Sequence, residues 1–174
     1  IRSLIFSRLK KPYPKLDVRE VNDSSIWIYF NQFNKRKSNI NFLAFKLDIP
    51  GRFISSNIDL STVSDFELSF KYAFAKKTSA NTDYLRISAS NDCGETWSVR
   101  KNISATNLPT APNQSTAYTP SSDEWETVTI TNIVSSYWTE NFRFKFTFVS
   151  GGGNNVYIDD INLKDQSDVS SSIY

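Results

Sequence analysis

Two adjacent carboxylates, Asp159 and Asp160, interrupt an apolar stretch that runs Val156-Tyr157-Ile158-Asp159-Asp160-Ile161 near the end of the chain. Acids set among apolar residues are costly unless hydrogen bonds or a cation offset their charge. On an extended strand neighbouring side chains point to opposite faces, which turns one of the two inward. An inward carboxylate beside backbone carbonyls suits calcium, which takes about six to eight oxygen ligands. It suits equally well a set of backbone N–H donors from a neighbouring loop. A second acidic group, Asp123, Glu124 and Glu126, flanks Trp125. Paired acids beside an aromatic ring are the parts of a glycoside-cleaving site, but these fall on a turn and a strand start, where acids are ordinarily solvated. Trp125, Tyr137, Trp138 and Tyr118 offer ring faces on which a sugar can stack, with packing at the core or its rim as the plainer alternative.

The sharpest local pattern is Ser90-Asn91-Asp92-Cys93-Gly94-Glu95-Thr96-Trp97. It resembles the Asp-box hairpin, S-x-D-x-G-x-T-W, of sialidases and other β-propellers. Asp92 is placed to accept backbone N–H bonds across a tight turn, Gly94 to take a positive φ, and Trp97 to pack over the hairpin. In those families the box is a folding element. A propeller needs repeats of it, and this chain has a single copy.

Composition removes whole classes of chemistry. There is no His, so His-based zinc sites and Ser-His-Asp or Cys-His centres are excluded. The single Cys, Cys93, can form no internal disulfide and no thiolate cluster. Met is absent as well, so the chain reads as a processed or excised piece. Lys and Arg number 20 against 18 Asp and Glu, and the two signs are interspersed, which is not the basic stripe of a nucleic-acid binder. The one basic-leaning region is the start, Arg2, Arg8, Lys10, Lys11, Lys15 and Arg19, which reads as a solvated lead-in. No apolar run approaches the ~20 residues of a membrane span, and no signal peptide is visible. An export signal would belong to a part of the parent outside this sequence.

The elements that must position these residues have a period of two. Phe66, Leu68, Phe70, Tyr72 and Phe74 alternate with Glu67, Ser69 and Lys71, and Phe142, Phe144, Phe146 and Phe148 alternate with Arg143, Lys145 and Thr147. A helix would scatter these rings around its circumference, whereas a half-buried strand puts them on one face. Further strands are expected over Ile26–Phe30, Ile40–Leu47, Tyr84–Ser90, Thr96–Asn102, Glu126–Ile133 and Val156–Leu163. Gly-, Pro- and Asn-rich turns separate them. The stretch 104–122, with Pro109, Pro112 and Pro120, reads as a long surface loop crossing between sheets. The expected fold is all-β, a two-sheet antiparallel jelly-roll sandwich. Residues 1–22 form a lead-in that can include a first strand at Leu4-Ile5-Phe6, 23–164 the domain, and 165–174 a linker-like tail.

Several segments in order carry a family resemblance. They are Gly51-Arg52-Phe53-Ile54-Ser55-Ser56-Asn57-Ile58-Asp59-Leu60-Ser61, Leu68 to Ala75, Asp83 to Ser90 with the Asp92 hairpin, Phe142-Arg143-Phe144, and the Gly-Gly-Asn-Asn-Val-Tyr-Ile-Asp-Asp-Ile close. Together they resemble the MAM-like jelly-roll module of secreted Bacteroidota proteins, and within it the module that follows the catalytic domain of pappalysin-type zinc metalloproteases. The resemblance implies a non-catalytic accessory or interaction domain, calcium-stabilised, in a secreted or cell-surface multidomain protein exported by the type IX system. Its partners would be neighbouring domains and a glycan or protein ligand. A carbohydrate-binding module and a purely structural spacer are the alternatives. It also implies that Asp159 helps hold calcium together with a carboxylate of the first strand. The candidate first strand Leu4-Ile5-Phe6-Ser7-Arg8 has no acid, so Asp23 enters as a substitute ligand, and Asp160 stands as the alternative to Asp159 within the closing pair.

Overall fold

The computed structural model describes three early strands by their backbone, β1 (Val18–Glu20), β2 (Ile26–Phe30) and β3 (Leu43–Asp48), and then the continuous stretch 51–165. Within that stretch lie β4 (Arg52–Ser55), β5 (Phe66–Ala73), β6 (Tyr84–Ser90), β7 (Ser98–Ile103), β8 (Glu126–Ile130), β9 (Arg143–Val149) and β10 (Tyr157–Asp165). A single 3-10 turn, Ser135–Tyr137, is the helical element among the described residues. No helix there is long and apolar enough to cross a membrane.

The strands form two antiparallel sheets, ordered β1-β2-β3-β4-β9-β6-β7 and β10-β5-β8. From β4 onward the chain visits the large sheet, the small sheet, the large sheet twice, then small, large and small again. This alternation places β9 between β4 and β6, and β5 between β10 and β8. It is the two-sheet winding of a jelly roll, so the chain is an all-β sandwich, as the sequence leads one to expect.

The core lies between the sheets and is built from rings. Phe66, Phe70 and Phe74 project inward from the small sheet and its continuation, and Phe142, Phe144, Phe146 and Phe148 from the large one; all seven are buried. Three ring pairs bridge the gap: Phe66–Phe142 at 5.4 Å, Phe70–Phe146 at 4.8 Å and Phe74–Phe148 at 5.8 Å between centroids. Phe146 also meets Phe53 of β4 and Phe144. Edge-to-face and tilted contacts of this kind add to the gain from burial itself.

Strand limits differ from the expected ones where a local partner competes with the ladder. β7 begins at Ser98 rather than Thr96, because the Thr96 N–H is taken by the Asp92 carboxylate. β8 stops at Ile130 rather than Ile133. There Ile133 turns into the core and its carbonyl accepts the Trp138 indole N–H at 2.9 Å. β5 ends at Ala73, and the next residue, Phe74, bonds instead to Thr110 of the long connection. β4 was not among the expected strands; it has four residues, and its pairing with β3 and β9 is what defines it. The candidate strand at Leu4-Ile5-Phe6 lies outside the described residues.

A buried carboxylate closes one end of the sandwich. Asp83, fully buried, accepts the N–H groups of Gly151 at 2.8 Å and Gly153 at 3.0 Å. The Gly-rich connection from β9 to β10 wraps this side chain so closely that a Cβ on Gly153 would stand 2.5 Å from Asp83 Oδ2 and 2.7 Å from the Phe74 ring. Glycine is required there by space.

Candidate functional site

The outward side of β5 is small and polar where its inward side is aromatic. Glu67, Ser69, Lys71 and Ala73 face away from the core, and Ala75 continues the row. The two alanines leave room for rings. Tyr118 and Trp125 from the long connection and Tyr157 from β10 pack over them, with Tyr118 and Tyr157 edge to face at 5.8 Å.

The connection is tied down residue by residue. Thr110 N–H donates to the Phe74 carbonyl and Gln114 N–H to that of Lys76, at 2.9 and 2.7 Å. The Asn154 side-chain amide donates to the Gln114 carbonyl at 2.8 Å, and the Tyr157 hydroxyl to that of Tyr118 at 2.6 Å. The stretch read as a loop is therefore a cover on the outer face of the small sheet.

Where the cover ends, a shallow depression opens. Lys71, Ser122, Trp125, Asp159 and Asp160 line a cavity of about 130 Å³. Asp159 sits opposite Lys71 in the β10–β5 ladder, on the outward face. Directly after it the register shifts, and Asp160 takes a left-handed φ of 48°. This is a β-bulge: the extra residue is left outside the alternation and re-aims its side chain.

Strict alternation would have turned one of the two carboxylates inward. The bulge overrides it, leaving Asp159 half-buried and Asp160 exposed. Asp160 pairs with the Lys71 ammonium at 2.8 Å, and its own N–H donates to Asp159 Oδ1 at 2.8 Å. That hydrogen bond from the ammonium, and the charge behind it, raise the Lys71 pKa above its ordinary value.

The structure thus brings together Trp125 and the Asp159–Asp160 pair, which the sequence presents as separate features. Tyr118 lies beside them under Trp125, buried. Tyr137 and Trp138 do not join this group. They pack on the edge of the main core, with the Arg100 guanidinium 4.0 Å from the Tyr137 ring centroid. The four aromatic candidates therefore occupy two places rather than one platform.

The acids around Trp125 are engaged locally. Asp123 accepts the Ser121 hydroxyl, which lowers its pKa, while Glu124 accepts the Ser121 N–H and Glu126 the Tyr72 hydroxyl.

Among the described residues no three His, Cys, Asp or Glu side chains gather as metal donors. Asp23 lies outside the described residues. Two carboxylates with an ammonium between strands fall short of the about six to eight oxygens that calcium takes, so a calcium ion here would draw further ligands from outside them.

The Asp92 hairpin is a turn on the opposite sheet, held by its own side chains and tied to the segment before β9, where the Cys93 N–H donates to the Asn141 carbonyl at 3.1 Å. The Asp92 carboxylate accepts the Thr96 N–H at 3.0 Å, the Thr96 hydroxyl and the Ser90 hydroxyl, while Ser90 Oγ accepts the Gly94 N–H at 2.8 Å. Cys93 and Gly94 both take positive φ, and the Cys93 thiol is exposed and free. Trp97 packs near Gly94.

Sequence reasoning missed two residues of this architecture. Lys71 carries no local signal, since its partner Asp160 is far away in the chain and reaches it through a bulge. Asp83 did have one, in the glycine triplet that must approach something closely.

No protein-family model matches the chain, and no curated protein matches it. Among solved structures the fold is similar to TmCBM61 in complex with β-1,4-galactotriose, at 12% identity over 82% of this chain and 70% of that one, with a TM-score of 0.38. It is also similar to the K2 cleaved adhesin domain of Lys-gingipain, at 15% identity over 86% and 78% of the two chains, with a TM-score of 0.41. Likenesses this loose carry no ligand across.

The hairpin yields a pH prediction. The Ser90 hydroxyl first, then the Thr96 hydroxyl and N–H, hold the Asp92 carboxyl down to a pKa of about 2. A carboxyl lowered on folding contributes stability that is complete above its unfolded value of about 3.9 and is lost as pH falls through the folded one. Asp92→Asn should therefore flatten the fall in melting temperature between about pH 4 and pH 2 relative to the parent. Parallel curves for the two proteins would show that the carboxylate does not hold the turn.

Proposed function

We propose that the protein is a non-catalytic binding module that takes a sugar residue of a glycan in the depression beside Trp125. The observation that carries this reading is the composition of that depression: one half-buried indole next to a carboxylate and an exposed ion pair. A sugar ring has an apolar C–H face and a rim of hydroxyls. An aromatic side chain meets the first, and fixed donors and acceptors such as Lys71, Asp159 and Asp160 meet the second. The cavity is well below the ~300–1,000 Å³ of sites that enclose a whole small molecule, which fits one residue of a chain lying across the surface. The setting we infer is a secreted or cell-surface protein of several domains, a zinc metalloprotease by the resemblance of the segments quoted above.

A screen of the folded protein on immobilised neutral glycans, followed by calorimetry on any that bind, tests the reading. Trp125→Ala should weaken binding at least about tenfold, while Trp138→Phe, on the other aromatic cluster, leaves it unchanged. Binding that survives Trp125→Ala, or the absence of binding to any glycan by a protein with the parent's melting temperature, would leave a spacer or a protein-binding role in its place.

In this reading calcium is a stabilising ion held by Asp159 or Asp160, with Asp23 substituting for the first-strand carboxylate that the resemblance implies. An ion bound only by the folded chain adds about 2.7 kcal/mol at a hundredfold excess over its dissociation constant. For a chain of this size that is several degrees of melting temperature. The parent is expected to melt higher in calcium than in chelator and Asp159→Asn to lose the difference. Identical melting of the parent in both would mean that no calcium is held there and that these acids are offset within the protein, by Lys71 and the Asp160 N–H among others.

A further inference from the structure

The charge of this chain is nearly balanced over its length but not between its two sheets. β4, β6, β7 and β9 carry Arg52, Arg86, Arg100, Lys101, Arg143 and Lys145 and no carboxylate. β5, β8 and β10 carry Glu67, Glu126, Asp159, Asp160 and Asp165 against Lys71 and Lys164. On the preceding strand, β3, Lys46 holds the register position opposite Ile54 and Asp48 the one opposite Arg52, which adds one charge of each sign.

Alternation decides where the cations of the large sheet stand. Phe144, Phe146 and Phe148 are buried, so Arg143, Lys145 and Thr147 face outward. Leu85 and Ile87 set Tyr84 and Arg86 outward in the same way, and Phe53 does so for Arg52 and Ile54. The ladder then lines Arg52, Thr147 and Arg86 in one row across three strands. The two arginines flank Thr147 at about 10 Å of backbone separation, two strand spacings. Lys145 stands in the adjacent row of the same strand, between Ile54 and Ser88.

These cations repel one another, with Asp48 of β3 at the register position opposite Arg52. Among the described residues none of Arg52, Arg86 and Lys145 has a carboxylate within salt-bridge reach. Burial first, then the charges of Arg52 and Arg86, push the Lys145 pKa down. The Arg86 Nε is buried without a hydrogen-bond acceptor. What holds the group in place is aromatic: the Arg86 guanidinium lies 5.2 Å from the Tyr84 ring centroid, and the Lys145 ammonium 4.1 Å from that of Trp97. Each ring backs a cation, so the surface presents charge rather than free ring faces.

We propose that the outward face of β4, β9 and β6, centred on Arg52, Thr147, Arg86 and Lys145, docks an acidic polysaccharide through its uronate carboxylates. The planar forks of two arginines match carboxylates in bidentate geometry, and the Thr147 hydroxyl between them suits the sugar hydroxyls that separate one carboxylate from the next. The donors are spread along a row on an open sheet instead of converging on a point, which fits an extended chain bearing one charge per sugar. A single-stranded nucleic acid fits less well, because such binding relies on aromatic faces free for base stacking, and here Tyr84 and Trp97 are engaged by the cations. The face belongs to the sheet opposite the Trp125 depression and does not depend on it.

Calorimetry of the whole chain with an oligogalacturonate at low and at high salt tests the proposal, with neutral dextran and an oligo-dT strand as comparison ligands. Oligogalacturonate is expected to bind at low salt and to weaken as salt rises. Arg52→Gln and Lys145→Gln should each lower affinity about tenfold, and Lys164→Gln and Lys76→Gln should bind as the parent does. Arg52 is exposed, so its variant should melt within about two degrees of the parent. No binding at low salt, an equal loss in Lys164→Gln, or dextran or oligo-dT bound as tightly as oligogalacturonate would each overturn it.

Discussion

The contact between the Phe rows of β5 and β9 is the constraint on which the rest of the molecule depends. Phe66, Phe70 and Phe74 on one sheet meet Phe142, Phe146 and Phe148 on the other, pair by pair along the core. A slip of either strand by one residue would expose every ring of its row. It would also drive Glu67 and Lys71, or Arg143 and Lys145, into the interior, where unpaired charge is far more costly than exposed phenyl. Burial and charge thus enforce the same register. The outward side chains are fixed as firmly as the inward ones, without needing strong contacts of their own.

That rigidity lets the two outer faces differ in chemistry. On the small sheet, two alanines accept a covering segment that brings Tyr118 and Trp125 to the sheet, and the cover stops where Lys71 meets the bulge at Asp160. On the large sheet the outward cations stand in rows set by the ladder. The buried Asp83 and the glycines around it join the end of β9 to the start of β10, and so couple a strand of one face to a strand of the other.

Much of the fold was legible because alternation is a local signal. The four-residue spacing of Phe66, Phe70 and Phe74 and the two-residue spacing of Phe142 to Phe148 suffice to place the core. The bulge was not legible: Asp159 and Asp160 look alike in a strand, and only the pairing of β10 with β5 shows that one of them stands outside the ladder. The candidate site was half legible. Trp125 and the acid pair are each visible in the chain, but their meeting depends on the path of the covering segment, fixed by bonds such as Thr110 to Phe74 that no spacing rule anticipates. The separation of charge between sheets was written in the strands, yet it emerges only once strand order assigns each strand to its sheet.

The central claim, that the paired Phe rows lock the sheets and thereby fix both outer faces, is tested most directly by a double-mutant cycle on Phe70 and Phe146. Each is changed to Leu, alone and together, and unfolding is followed in urea. Rings in edge-to-face contact across the sheets should show a coupling on the order of 1 kcal/mol beyond their separate costs. Losses that add to within about 0.3 kcal/mol would mean that the two rows do not meet as described.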